Sequence, residues 1–258
     1  MKIGVCAGIE NAEIAAKAGF SYLEFSLSQL AAMEDGEFEA LCKKVQTAPI
    51  PVLCCNGFMP GTIKVTGPEA DVQAWHAYLE KALSRAAAVG IKTAVFGSGA
   101  SRSVPEGWPF EKAWQQLAAF FKTAAGYAEK YDVKIAIEPL RRQECNILNL
   151  VSEATQMAAW VDSDHVGVLA DTFHMLASHE PWEAMEKAGD KLWHVHISSP
   201  LPDMSSRVFP YAGDGSDYAA VFKVLFQAGY QGNVSVEAGA ADFAAEAKKA
   251  AALLNSFI

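Results

Sequence analysis

No apolar stretch in this 258-residue chain approaches the ~18 residues that a membrane-spanning helix requires, which argues against a bilayer as its partner. A secretory leader is not expected either, because acids and glycines interrupt the opening "MKIGVCAGIENAEIAAKAG" where an unbroken apolar run would be needed. Positive charge is in short supply. With 21 Lys and Arg against 30 Asp and Glu, the net charge of −9 disfavours nucleic acid, whose binding depends on neutralising phosphates. The five cysteines, Cys6, Cys42, Cys54, Cys55 and Cys145, are odd in number and lack paired metal-ligand spacing, so they read as thiols in or near a core rather than as a disulfide framework. A reducing cytoplasm and a small-molecule ligand are the resulting expectations. There is no low-complexity linker, and no G-x-G-x-x-G follows the first apolar run, so a dinucleotide site there has no support.

What the chain does have is alternation. Short runs rich in Val, Ile and Phe occur at 2–6, 22–26, 51–55, 93–97, 133–138, 165–170, 192–197 and 233–238. Stretches of helical period separate them, including "ADVQAWHAYLEKALSRAAAVG" and "EKAWQQLAAFFKTAAGYAEKY", and an alanine-rich helix follows the last run. Helical connections force neighbouring strands to be parallel, and continuous apolar strands suit a sheet covered on both faces. Eight strand and helix units of about 32 residues each predict one closed (β/α)8 TIM barrel over residues 1–258. A doubly wound open sheet is the alternative.

Active sites in such barrels lie at the C-terminal ends of the strands. The fifth run ends in Glu138, the sixth at Asp171, the seventh at His196 and the eighth at Glu237. Each has a plain explanation when taken singly: Asp171 caps the helix begun by "TFHM", the glutamates are loop acids, and one of the alternating His194 and His196 is a packed core residue. Together, three carboxylates and an imidazole at one mouth repel unless a cation neutralises them. The quartet Glu138, Asp171, His196 and Glu237 is therefore expected to bind a divalent metal. Three oxygens and one nitrogen favour Mn2+, with Mg2+, Co2+ and Zn2+ as alternatives. A sugar carbonyl and its neighbouring hydroxyl would chelate at the remaining positions, which acidifies the adjacent C–H.

The segments "AIEPLRRQECNILN", "LADTFHM", "WHVHIS", "RVFPYAGDGSDY" and "VSVEA" resemble the signature of the sugar epimerases and isomerases typified by D-tagatose 3-epimerase, within the xylose isomerase-like barrels. The likeness runs over the whole chain, with its specific motifs in the second half. It implies that Glu138, Asp171, His196 and Glu237 hold the metal and that Glu138 and Glu237 also act as acid and base. It further implies that Glu144, His174 and Arg207 contact substrate. The chain departs from the pattern after the seventh strand, where "HISSPLPDMSSRVFP" places Ser198 and Ser199 and delays the arginine through a longer loop, 198–216. Barrels of this family often pair, so a homo-oligomer is compatible with the resemblance.

The activity implied is metal-dependent proton transfer through an enediolate on a sugar or sugar phosphate. Glutamates on opposite faces would give epimerisation, and a single glutamate would give aldose–ketose isomerisation. The competing reading is a dehydratase of the same barrel that expels a β-hydroxyl from a keto-inositol or dehydroshikimate-like substrate. A phosphodiesterase or endonuclease is more remote, because its extra metals need histidines at earlier strand ends, where this chain has "CCNGF" and "FGSG". Among weaker signals, "FGSGASRS" offers glycines and Arg102 for an anion, although a plain glycine turn is the simpler reading. The loop at 56–68, with Phe58, Met59 and Lys64, and Trp108 in the next loop, are either a lid or packing. Glu24, at the end of the second strand, is a substrate contact or a surface acid.

Overall fold

The computed structural model describes residues 1–258. Its barrel strands are β1 (Lys2–Cys6), β2 (Leu23–Ser26), β3 (Val52–Asn56), β4 (Thr93–Phe96), β5 (Lys134–Ile137), β6 (Val166–Asp171) and β7 (Leu192–Ile197). A hairpin of two short strands, β8 (Ser199–Pro200) and β9 (Arg207–Val208), precedes the last barrel strand, β10 (Asn233–Val236). The closed order is β1-β10-β7-β6-β5-β4-β3-β2, with every barrel pair parallel. This is the predicted TIM barrel, and the eight strands fall within a residue or two of their expected positions.

Helices cover the outside: α1 (Ala12–Ala18), α2 (Leu27–Ala32), α3 (Asp35–Thr47), α4 (Val72–Ala88), α5 (Gly99–Arg102), α6 (Phe110–Lys130), α7 (Val151–Val161), α8 (Thr172–Ala177), α9 (Glu183–Ala188), α10 (Tyr218–Gln227) and α11 (Phe243–Asn255). Several begin at an aspartate whose carboxylate accepts from otherwise unpaired N–H groups: Asp71 for α4, Asp217 for α10 and Asp242 for α11. Between strands and helices lies the main core, with Phe58, Phe96, Phe120 and Phe121 packed largely edge to face behind β3 and β4. No helix is long and apolar enough to cross a membrane.

Side chains on a strand alternate between its two faces, and that period sorts the barrel interior into layers. Val95, Ala136 and Leu169 form a buried apolar cluster separate from the main core. Two residues further along each strand come Gly97, Glu138 and Asp171, so the same face that packs the lower layer presents acids at the mouth. Register carries the row onward, since Asp171 is opposite His196 and His196 is opposite Ser235. The pairing shifts between Leu23 and Glu24 on β2 and between Val168 and Leu169 on β6. Such irregularities re-aim the side chains beyond them.

Candidate active site

Glu138 and Glu237 lie one residue past the ends of their strands, yet both remain tied to the ladder. The Glu138 N–H donates to the Phe96 carbonyl at 3.1 Å and that of Glu237 to the Ile197 carbonyl at 3.2 Å. Asp171 ends β6, and its Oδ1 accepts from the N–H groups of Phe173, at 2.7 Å, and His174. It is thus the cap of α8, while its second oxygen is left for the mouth. His196 Nδ1 faces all three acids, at 2.9 Å from Glu237, 3.3 Å from Glu138 and 3.7 Å from Asp171. One ligand atom from each of the four residues lies within 4.8 Å of the other three.

The residues around the quartet hold it in shape. Asn56, at the end of β3, donates to Glu237 Oε1 at 2.6 Å, and Arg207 donates to Glu237 Oε2 at 2.7 Å and to Asp171 Oδ2. Gly97 leaves room for Glu138: a Cβ there would sit 2.3 Å from Glu138 Oε2. Arg102, fully buried, donates to the Glu138 carbonyl at 2.7 Å and to the Phe96 and Leu148 carbonyls at 3.4 Å. The anion reading of "FGSGASRS" is therefore set aside, because this guanidinium is engaged by backbone.

The crowding of charge shows in the protonation of the site. Burial and the neighbouring Glu237 push the Glu138 carboxyl up, outweighing the pull of His196. Burial would also raise Asp171 and Glu237, but Arg207 and His196 more than offset it, and both carboxyls lie below their usual range. For His196, burial disfavours the charged ring, yet Glu237 and Glu24 outweigh it and hold the imidazole protonated well above its ordinary value.

Glu24 is not a surface acid. Only 1% exposed, it touches His194 Nε2 at 2.7 Å with one oxygen and His196 Nε2 at 2.9 Å with the other. Burial alone would raise its carboxyl, and the two rings outweigh burial and lower it. Glu144 and His174 are not brought into the quartet. Glu144 is exposed and paired with Arg141 at 2.6 Å, while His174 is buried and its Nδ1 accepts from the Arg141 N–H at 3.3 Å. Arg141, which sequence reasoning passed over, stacks on Phe173 and donates to the Met204 carbonyl of the long loop. Arg207 stacks on the same ring. Phe58 and Met59 are buried, Lys64 donates to the Ala100 carbonyl at 2.9 Å, and Trp108 donates to Gln116 at 3.2 Å, so this region packs rather than covers the mouth.

A cavity of about 340 Å3 opens between the ends of β1, β2 and β3. Cys6, Glu10, Ser26, Gln29 and Asn56 line it, and Glu24 lies at its wall. It therefore reaches the direct partners of both Glu237 and His196.

Fold and site together define a (β/α)8 barrel with an acidic mouth at the C-terminal ends of its strands. Residues 12–257 match the xylose isomerase-like TIM barrel model, and the chain belongs to that family. It is similar to the D-psicose 3-epimerase of Enterocloster bolteae, with 36% identity over 128 residues, a match that covers 49% of this chain and only 39% of that protein. A longer match joins it to the 2-oxo-tetronate isomerase of Haemophilus influenzae, 29% identical over 238 residues and covering 89% of this chain and 86% of the relative. The solved structure of D-allulose 3-epimerase from Methylomonas sp. in complex with D-allulose shares the fold, with a TM-score of 0.85, 20% identity and coverage of 100% of this chain and 97% of that one.

Proposed function

We propose that the protein is a divalent-metal-dependent epimerase or isomerase of small sugars that works by proton transfer at a carbon next to a carbonyl. The observation that carries this reading is the quartet, with ligand atoms of Glu138, Asp171, His196 and Glu237 mutually within 4.8 Å at the barrel mouth. The donor set fits a hard to borderline cation, with Mn2+ first and Mg2+, Co2+ or Zn2+ as alternatives. When bound, such an ion polarises a sugar carbonyl and its adjacent hydroxyl and so acidifies the C–H between them. The names of the relatives, D-psicose 3-epimerase and 2-oxo-tetronate isomerase, are those of an epimerase and an isomerase, which supports this reading.

The chain's own residues supply the proton carriers. Glu138 and Glu237 come from strands on different sides of the quartet and are the two carboxylates assigned to remove and return the proton. Asn56 and Arg207 fix Glu237 by one hydrogen bond to each oxygen, which sets the direction in which its lone pairs point. Glu138 is held from behind by Arg102 through its own carbonyl. Arg207 also supplies positive charge where a substrate oxygen gains negative charge. Glu144 and His174 belong to the rim, where Arg141 links them to the long loop.

The cavity between β1, β2 and β3 has no lysine or arginine in its lining and does have Glu10, Gln29 and Ser26. The test is incubation of the protein, loaded with Mn2+, with ketoses and their phosphates in D2O, followed by NMR. Exchange of the C–H next to the carbonyl, with appearance of the epimer or the aldose, is the expected result. Loss of a β-hydroxyl would identify a dehydratase, and retention of the C–H across the panel would refute proton transfer.

A further inference from the structure

Glu24 is a buried acid that the proposed reaction leaves without a task. It stands where the pairing of β2 with β3 shifts by a residue, and beyond that shift its carboxylate lies between the rings of His194 and His196. Each oxygen meets one ring nitrogen, and both are Nε2. A carboxylate offers only lone pairs, so each Nε2 must carry the hydrogen. In the metal-binding state, where Nδ1 carries no hydrogen, an imidazole protonated on Nε2 has its lone pair on Nδ1. In His196 that atom is the one facing Glu138, Asp171 and Glu237.

We propose that Glu24 is a positioning residue that fixes His196 as the Nε2–H tautomer, so that Nδ1 is presented as a metal ligand, and that His194 is the counter-arm that holds the Glu24 carboxylate in place. The inference rests on the quartet being a divalent-metal site. Histidines that bind metal generally donate their other N–H to a carboxylate or carbonyl, and loss of that partner weakens the site. Here the partner is shared, because His194 donates to the second oxygen and stops the carboxylate from rotating away from His196. His194 is itself anchored: Ser235 Oγ lies 3.3 Å from its Nε2, and the Tyr22 hydroxyl lies 2.7 Å from Ser235 Oγ. On the other side, Cys54 Sγ is 4.0 Å from His194 Nδ1. Burial pushes the Cys54 thiol up, which keeps it protonated and able to donate to that nitrogen. Glu24, Cys54 and His194 also cluster tightly enough to suggest a second ion. Their hydrogen bonds account for the arrangement without one, since Asn233 Nδ2 donates to Cys54 Sγ at 3.6 Å and Glu24 has a ring on each oxygen.

The test compares the full chain with Glu24→Gln by calorimetric titration with MnCl2 and by long-range 1H–15N NMR of the histidine rings. The NMR is recorded metal-free and with diamagnetic Mg2+ or Zn2+. Circular dichroism and thermal melting establish that the variant is folded. An amide keeps the shape but pairs one acceptor with one donor, so one of the two rings must move its proton from Nε2 to Nδ1. The expected result is that change of tautomer together with about 10- to 100-fold weaker Mn2+ binding. Unchanged affinity, or both rings still protonated only on Nε2 in the variant, overturns the proposal. Should Glu24→Gln not fold, Glu24→Asp keeps the charge but is too short to reach both rings, and it should weaken Mn2+ in the same direction. Equal affinity there also overturns it. The parent's spectrum is an independent check: His194 protonated on Nδ1 in the metal-free protein refutes the clamp. A parent that binds no Mn2+ but has both rings protonated on Nε2 refutes the metal reading and leaves the arrangement of Glu24 standing.

Discussion

Replacing Gly97 with alanine separates the stability of the barrel from the geometry of its mouth. The backbone at Gly97 does not use the left-handed region, so alanine is conformationally acceptable. The obstruction is the Glu138 carboxylate, whose Oε2 and Cδ the new Cβ would meet at 2.3 and 3.3 Å, whereas ordinary contact begins at 3.4 Å. The carboxylate is the free end of a side chain and can yield, but it must retreat by about 1 Å to restore van der Waals contact. Hard divalent ions hold carboxylate oxygens at about 2.0–2.6 Å, with little tolerance, so a shift of that size removes Glu138 from the coordination sphere. A misplacement of about 1 Å also costs on the order of 100-fold in rate when the same group carries a proton. Meanwhile alanine restricts the unfolded chain, a gain of roughly 0.4–1 kcal/mol where the native conformation suits it.

The expected result is therefore a change of opposite sign in two measurements. Gly97→Ala should unfold in urea at the same or slightly higher concentration than the parent when both are metal-free. It should bind Mn2+ at least tenfold more weakly by calorimetry, and C–H exchange in D2O should fall in step. Parent-like Mn2+ affinity and exchange in a folded Gly97→Ala protein would refute the assignment of Glu138 to the quartet.

Four other outcomes follow from the same geometry. Asp171→Asn should keep the α8 cap but bind Mn2+ more weakly, whereas Asp171→Ala should also lose about 1 kcal/mol of metal-free stability in urea melts, because the cap is gone. Arg207→Ala should raise KM or slow turnover while metal content, measured by mass spectrometry, stays near that of the parent; loss of metal would show that this arginine is part of the cation site. Arg102→Met should cost on the order of 3 kcal/mol in urea melts, since it leaves three buried carbonyls short of a charged donor. Mn2+ affinity should rise with pH: Glu138 and His196 both have raised proton affinity in the metal-free protein, and each must shed a proton to become a ligand, so binding is weakest on the acid side and recovers as pH passes upward through their raised values. Titrations that show flat affinity from about pH 5 to 8 would contradict that coupling.

The barrel was legible because periodicity is local. Eight apolar runs separated by helical stretches admit few topologies, and a parallel sheet covered on both faces is the one that closes. The four residues at the mouth were legible for the same reason, since each stands at the end of a run. The surrounding residues were not, because their roles depend on partners that no local pattern reveals. Glu24 meets His194 and His196 from 170 and 172 positions away in sequence, after a register shift that the run "YLEFS" does not advertise. Asn56 reaches Glu237 across 181 positions, and nothing in "CCNGF" distinguishes it from a turn asparagine. Arg102 looked available for an anion because glycines surround it, but its guanidinium turns inward to the carbonyl at the end of β5. The β8–β9 hairpin is only two residues per strand, too short for any alternation to appear.

Asp171 shows why residue-by-residue reading of such a site stops short. Its sequence context supports a helix cap and a metal ligand as rival accounts, yet the two uses draw on different oxygens. Oδ1 takes the N–H groups of Phe173 and His174, and this fixes the carboxylate plane against the start of α8. Oδ2 is then directed at Arg207 and the His196 side of the mouth. The cap is what holds the second oxygen in place, so the structural role prepares the chemical one proposed for it. The same logic runs through the mouth: Glu237 is aimed by Asn56 and Arg207, Glu138 by the space at Gly97, and His196 by Glu24. Each candidate ligand depends on a neighbour that spends its own hydrogen bonds on orientation.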